Sequence, residues 1–202
     1  MRKFTFALAG SLLALLFFWV PAVGAQSVLF DGTSLEQRRA AALLVPADVT
    51  GDDYALFARL EYGLTGYFNF FGQLGGRFDG GGTLLPGLGW SATLYEQSDR
   101  LPLNIGLFNS FLFPIEDGLG PDAFVTIAPV LSHRFGPADD VHTTVYGGAT
   151  STFIVGPGGT DVNALFGVRV AGIGGEQSRW DFVAEVQAGE SSRFALGFRY
   201  RF

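Results

Sequence analysis

From residue 54 onward the chain alternates between apolar and polar or small residues with a period of two. Tyr54, Leu56, Ala58, Leu60 and Tyr62 fall on one face, and Arg59 and Glu61 on the other. Successive side chains of a strand point to opposite faces, so this period predicts β-strands rather than helices. The same reading holds for YFNFFGQLGGRF (67–78), LGWSATL (88–94), LNIGLFNSFLF (103–113), AFVTIAPVLSHRF (123–135), NALFGVRV (163–170), WDFVAEVQA (180–188) and the closing RFALGFRYRF (193–202). The pattern blurs in TTVYGGATSTFIV (143–155), which still reads as a strand. Glycine-, proline- and aspartate-rich turn signals separate these segments, among them GLTG (63–66), EDGLGPD (116–122) and GPGGTD (156–161). Nine strands of about ten residues with short connections predict an all-β barrel or sandwich.

Both architectures alternate along their strands, and they differ in which face meets water. A soluble sandwich buries its apolar faces, whereas a membrane barrel turns them to lipid and lines its lumen with polar groups. Aromatic residues at the ends of the apolar faces (Tyr54, Tyr62, Phe68, Phe78, Trp180) fit interfacial girdles. Strands of ten or more residues match the length a tilted strand needs to cross a bilayer. The polar faces carry both signs of charge without lysine, which a solvated face would use freely.

On this reading Arg59, Glu61, Arg77, Arg169, Asp181, Glu185, Arg193 and Arg199 face the lumen and form a charge network that fills it. A hairpin at 189–191 places Asp181 near Arg199, and Glu185 near Arg193 or Arg199. Such ions must be paired, because an isolated buried charge costs several kcal/mol.

The first residues change the picture of where the chain goes. Arg2 and Lys3 precede an apolar run from Phe4 to Val20, Pro21 ends it, and Val23-Gly24-Ala25 offers small residues for a signal peptidase. We expect a secretory signal peptide over 1–25, cleaved between Ala25 and Gln26, then an N-terminal segment over 26–38 and a transmembrane barrel over 39–202. Within 34–49, Ser34 and Gln37 resemble a capping box that would start a short helix. Alternatively, Arg39 to Val49 forms a further strand, with GDD (51–53) as its turn. Bacterial single-chain barrels have even strand numbers, which favours ten strands, with eight as the alternative. The chain contains no cysteine, so disulfides and a lipidated N-terminal cysteine are excluded. After cleavage 11 arginines would face 19 acids, a balance that argues against nucleic-acid binding.

Candidate chemistry is sparse. The two histidines are His133, flanked by Ser132 and Arg134, and His142, which forms a D-x-H pair with Asp140. Ser132 and His133 are strand neighbours and point to opposite faces, which argues against a catalytic dyad. Acid pairs at 52–53 and 139–140 lack calcium-loop spacing. GLGWSA (87–92) matches a nucleotide-loop string without the helix it requires, and its glycines are expected to relieve crowding at a barrel edge. No catalytic constellation, cofactor site or metal site is expected.

The C-terminal strand resembles the β-signal of Gram-negative outer-membrane proteins. Gly197, Tyr200 and Phe202 occupy its glycine and two aromatic positions, and Ala195 stands where a polar residue is usual. With the leader and the strand rhythm, the chain is similar to the small OmpA/OmpX/OmpW-type barrels. That resemblance implies an antiparallel up-and-down transmembrane barrel in the outer membrane, with lipid and lipopolysaccharide around it. The barrel assembly machinery and periplasmic chaperones are the implied partners. A structural or narrow-channel, porin-like role is expected. The alternatives are a surface interaction protein and a small lipid-A-modifying or omptin-like enzyme.

Overall fold

The computed structural model describes residues 28–48, 54–78, 83–115, 123–137, 141–155, 159–174, 178–189 and 193–202, with backbone alone at 46–48, 54, 77 and 78. Ten strands follow one another: β1 (Ala40–Asp48), β2 (Tyr54–Thr65), β3 (Phe68–Phe78), β4 (Thr83–Tyr95), β5 (Asn104–Leu112), β6 (Ala123–Phe135), β7 (His142–Val155), β8 (Thr160–Ala171), β9 (Trp180–Gly189) and β10 (Arg193–Arg201). Each pairs antiparallel with its sequence neighbours, and β1 pairs with β10 to close an up-and-down barrel. Among the described residues there is no helix. The 34–39 stretch turns at 37–38 and enters β1 at Ala40, so the strand alternative holds and the helix does not form. Ser34 does not cap a helix; its N–H donates to Thr93 Oγ1 on β4 at 2.7 Å.

Closure leaves no free edge, the arrangement that satisfies every strand's backbone groups. The register slips once between β1 and β10, between Leu44 and Ala47. Pro46 lies inside that slip, where a residue without an N–H cannot continue the ladder. The ends of β2, β4, β6 and β8 and the starts of β3, β5, β7 and β9 share one rim with the start of β1 and the end of β10. We call this the terminal rim. The ends of β1, β3, β5, β7 and β9 and the starts of β2, β4, β6, β8 and β10 form the opposite rim.

The burial pattern is that of a globular protein turned inside out. Leu44, Leu60, Leu74, Leu88, Leu131, Phe166 and Phe198 are among the large apolar side chains exposed on the outer wall, while Arg59, Glu61, Arg169, Asp181, Glu185 and Arg199 are buried within. Tyr62, Tyr67, Tyr95, Phe135, Trp180 and Phe202 form an exposed aromatic belt near the terminal rim. Strand positions that face outward carry no Asp, Glu, Lys or Arg among the described side chains.

Strand number decides what the lumen can hold. Strands about 4.8 Å apart and tilted by about 40° give a backbone radius of about 8 Å for eight strands and about 10 Å for ten. Eight-stranded barrels are filled by side chains alone. Two further strands add room for about one extended chain, and this protein supplies that chain itself.

Candidate functional site: a plugged lumen and its vestibule

Residues 28–38 run inside the barrel from its middle toward the terminal rim, and there turn into β1. Val28, Leu29 and Phe30 are buried, with Val28 fully so. They join lumen-facing Leu43, Phe57, Phe71, Phe108, Val130, Leu165 and Val183 in one apolar cluster. The hydrophobic core of this protein therefore lies at the centre of the lumen. Rings stack there, with Phe71 and Phe108 centroids 5.3 Å apart and Phe30 6.3 Å from Phe108. The Arg59 guanidinium sits over both wall rings, at 4.6 Å from Phe71 and 5.1 Å from Phe108.

Large lumen aromatics fit because glycine stands opposite them. Phe57, Phe71 and Tyr146 are the direct cross-strand partners of Gly75, Gly89 and Gly167, whose missing Cβ leaves the space each ring occupies. Gly89 belongs to the GLGWSA stretch. Its role is to receive a ring inside the wall rather than to ease a barrel edge. Gly106 on β5 does the same for the plug, since a Cβ there would stand 2.5 Å from the Gly32 Cα.

Polar contacts hold the plug's backbone. The Glu185 carboxylate accepts the N–H groups of Val28 at 2.7 Å and Leu29 at 2.6 Å, the Tyr146 hydroxyl at 3.1 Å and Gln187 Nε2 at 2.9 Å. Arg59 Nη1 donates to the Val28 carbonyl at 2.9 Å. Leu35 N–H donates to Asn69 Oδ1 at 3.0 Å. Asp31 carries the plug's own charge, and Arg169 meets it at 2.8 Å while reaching Asp181 at 2.8 Å with its other terminal nitrogen. Val28 to Leu35 form neither helix nor strand, so Glu185, Arg59 and Asn69 satisfy buried backbone groups that would otherwise be unpaired, while Arg169 neutralises Asp31.

Of the sequence-predicted lumen charges, Arg59, Glu61, Arg169, Asp181, Glu185, Arg193 and Arg199 are buried inside the barrel. The Arg77 side chain lies outside the described residues, as do Ala25, Gln26 and Asp140. The pairing differs from the expectation. Arg199 stands opposite Asp181 in register but its guanidinium bonds Glu61 on β2, spanning β1, whose lumen-facing Ala41 and Leu43 lie between them and are apolar. Asp181 is shared by Arg169 and Arg201, the latter at 3.2 Å. Glu185 serves the plug. A lumen filled by paired charges is thus corrected to one filled by a chain segment, an aromatic cluster and those charges together. The short run VLFDG (28–32) is the sequence signal that reasoning from strand periodicity passes over.

Gly197, Tyr200 and Phe202 lie on β10 and at its end. Gly197 faces the lumen beneath Leu43 and Leu29, the Tyr200 ring packs tilted against Trp180 with centroids 4.8 Å apart, and Phe202 N–H donates to the Ala40 carbonyl at 2.8 Å. Ser132 is buried in the lumen, where it accepts from Asn104 Nδ2 at 3.1 Å. His133 faces outward with Nδ1 against the Pro102 carbonyl at 2.6 Å. Among the described residues no group of three or more His, Asp or Glu side chains is arranged to hold a metal ion.

Above the plug, at the terminal rim, the lumen opens into a vestibule of about 630 Å³. Its floor is Asp31 to Leu35, and Arg134, His142, Arg169, Arg199 and Arg201 stand on its walls. The fold and site together define a class: a closed ten-stranded β-barrel with a polar, self-plugged lumen. The chain matches no protein-family model and no curated relative, so function has to be argued from the site itself.

Proposed function

We propose that this chain is an outer-membrane β-barrel of a Gram-negative bacterium, similar in kind to the small OmpA/OmpX/OmpW-type barrels. In its resting form it is a sealed, structural barrel rather than an open pore. The observation that carries the membrane reading is the inverted burial: an uncharged apolar outer wall around an interior that holds the charges. In water such a wall would expose far more contiguous apolar surface than soluble proteins tolerate. Strands of 9 to 14 residues, at about 3.3 Å per residue and tilted by about 40°, span about 23 to 35 Å, which matches the apolar band of about 25 Å that such barrels present.

The terminal rim is the periplasmic one on this reading, with its aromatic belt at the membrane interface. Lipid and lipopolysaccharide surround the wall, and Gly197, Tyr200 and Phe202 present the final strand to the assembly machinery. The plug makes a conducting state depend on its displacement. The connections between strands are at most ten residues long, which gives the surface-adhesin reading little support. Ser132 and His133 stand on opposite faces of β6, which gives the hydrolase reading little support.

The test is reconstitution of the full chain into liposomes and planar bilayers. We expect heat-modifiable migration, quenching of tryptophan fluorescence by brominated lipid, and no single-channel steps from the wild type. Failure of quenching would overturn the membrane reading. Steady wild-type conductance would overturn the sealed state.

A further inference from the structure

The vestibule wall holds buried hydrogen-bond donors that have no partner among the described residues, although Glu36 and Glu96 also line its mouth. Four arginines on its walls, Arg134, Arg169, Arg199 and Arg201, each keep a buried Nε with no hydrogen-bond partner. Three of them are already committed through terminal nitrogens: Arg169 to Asp31 and Asp181, Arg199 to Glu61, Arg201 to Asp181 and the Ser178 carbonyl. Arg134 differs. Gln97 holds its backbone, accepting from the N–H at 2.8 Å and donating to the carbonyl at 3.2 Å, which fixes the residue while its guanidinium makes no ion pair among the described residues. Arg134 and Arg169 flank Thr144 in one cross-strand row, so two guanidinium-bearing positions and a hydroxyl lie side by side on the wall.

Guanidinium donates five N–H groups and accepts none. Unpartnered donors call for a ligand rich in acceptors, and buried unsatisfied donors require an explanation of this kind. A group with several oxygens on one centre meets guanidinium forks in the bidentate geometry they favour.

We propose that the vestibule is a binding site for a phosphate group, with Arg134 as its principal contact and Arg169, Arg201 and Thr144 completing the cradle above the plug. The space of about 630 Å³ accommodates a phosphoester as well as the free ion. Access is from the terminal rim. The proposal rests on the lumen geometry and stands whether or not the barrel inhabits a membrane.

The experiment uses the full chain folded in a non-ionic, phosphate-free detergent, with folding of every variant checked by heat-modifiable migration. Pyrophosphate is titrated calorimetrically against chloride of matched ionic strength. A second arm replaces it with a short-chain phosphatidic acid below its micellar concentration, which separates a free phosphate from a lipid headgroup. Saturable binding of either probe is expected, weakened about tenfold or more by Arg134→Gln and partly recovered by Arg134→Lys. Arg100→Gln, an exposed position outside the vestibule lining, is expected to leave affinity unchanged. If Arg134→Gln fails to fold, Thr144→Val takes its place, with a loss of about threefold expected. Absence of saturable binding by both probes, or binding equally insensitive to the Arg134 and Thr144 variants, would overturn the assignment.

Discussion

Replacing Glu185 with Gln should loosen the plug while leaving the wall intact. The carboxylate accepts two adjacent backbone N–H groups, from Val28 at 2.7 Å and Leu29 at 2.6 Å, one on each oxygen. Glutamine keeps the shape but offers a single acceptor oxygen, so its NH₂ would confront one of those N–H groups donor to donor. A hydrogen bond to a charged group is worth about 1.5–3 kcal/mol, and a buried donor left without an acceptor costs about 1–3 kcal/mol. These overlap in part, since the plug can shift to spare the worse contact, and a net loss of about 2–3 kcal/mol follows. At about 1.4 kcal/mol per factor of ten, release of the plug becomes about 30- to 150-fold more frequent. Amide hydrogen exchange in micelles reads this directly, because Val28 and Leu29 exchange only when the plug leaves its seat. Wall amides such as Val183, paired in the β8–β9 ladder, serve as the reference and should be unchanged. Exchange at Val28 and Leu29 within threefold of wild type would refute the latch.

Gly106→Val places side-chain atoms where the Gly32 Cα now sits, 2.5 Å from the ideal Cβ. It should open single-channel conductance in a planar bilayer without loss of heat-modifiable migration, and a variant as silent as wild type would show that the plug does not gate the lumen. Leu60→Arg puts a charge on the most exposed leucine of β2, 67 % accessible. Unfolding in lipid vesicles should show a loss of about 2–4 kcal/mol, and a cost near zero would place this wall in water. Arg169→Ala leaves Asp31 without its cation and Asp181 with Arg201 alone, and should cost about 3–5 kcal/mol in chemical denaturation; adding Asp31→Asn should return part of it, and strict additivity would argue against the shared ion pair. Deletion of Phe202 removes the residue that closes the β10 end onto Ala40. It should lower the yield of assembled barrel in cells, measured as heat-modifiable protein in the outer-membrane fraction.

Local chemistry was enough to specify the strands. Alternation along the chain set which residues of β2, β9 and β10 face outward, because a period-two strand has only two faces and a one-residue slip would turn every charge into the apolar wall. Turn residues set the hairpins, and parity carried the strand count to ten. The lumen charges were legible for the same reason, since Arg59, Glu61, Asp181 and Arg199 lie opposite apolar neighbours. What fills the space between them was not legible. Closure into a ten-stranded cylinder creates a central void about one chain wide, a property of radius that no local pattern encodes. Val28 to Leu35 have no periodicity to read, because a segment of irregular backbone inside a barrel presents no constant face and draws its hydrogen bonds from residues such as Glu185, 157 positions away from Val28. The pairing of Arg199 with Glu61 across β1 likewise depends on which strands closure makes neighbours. Sequence alone determined the wall and its two faces; closure decided the plug, the vestibule and the partner of each charge.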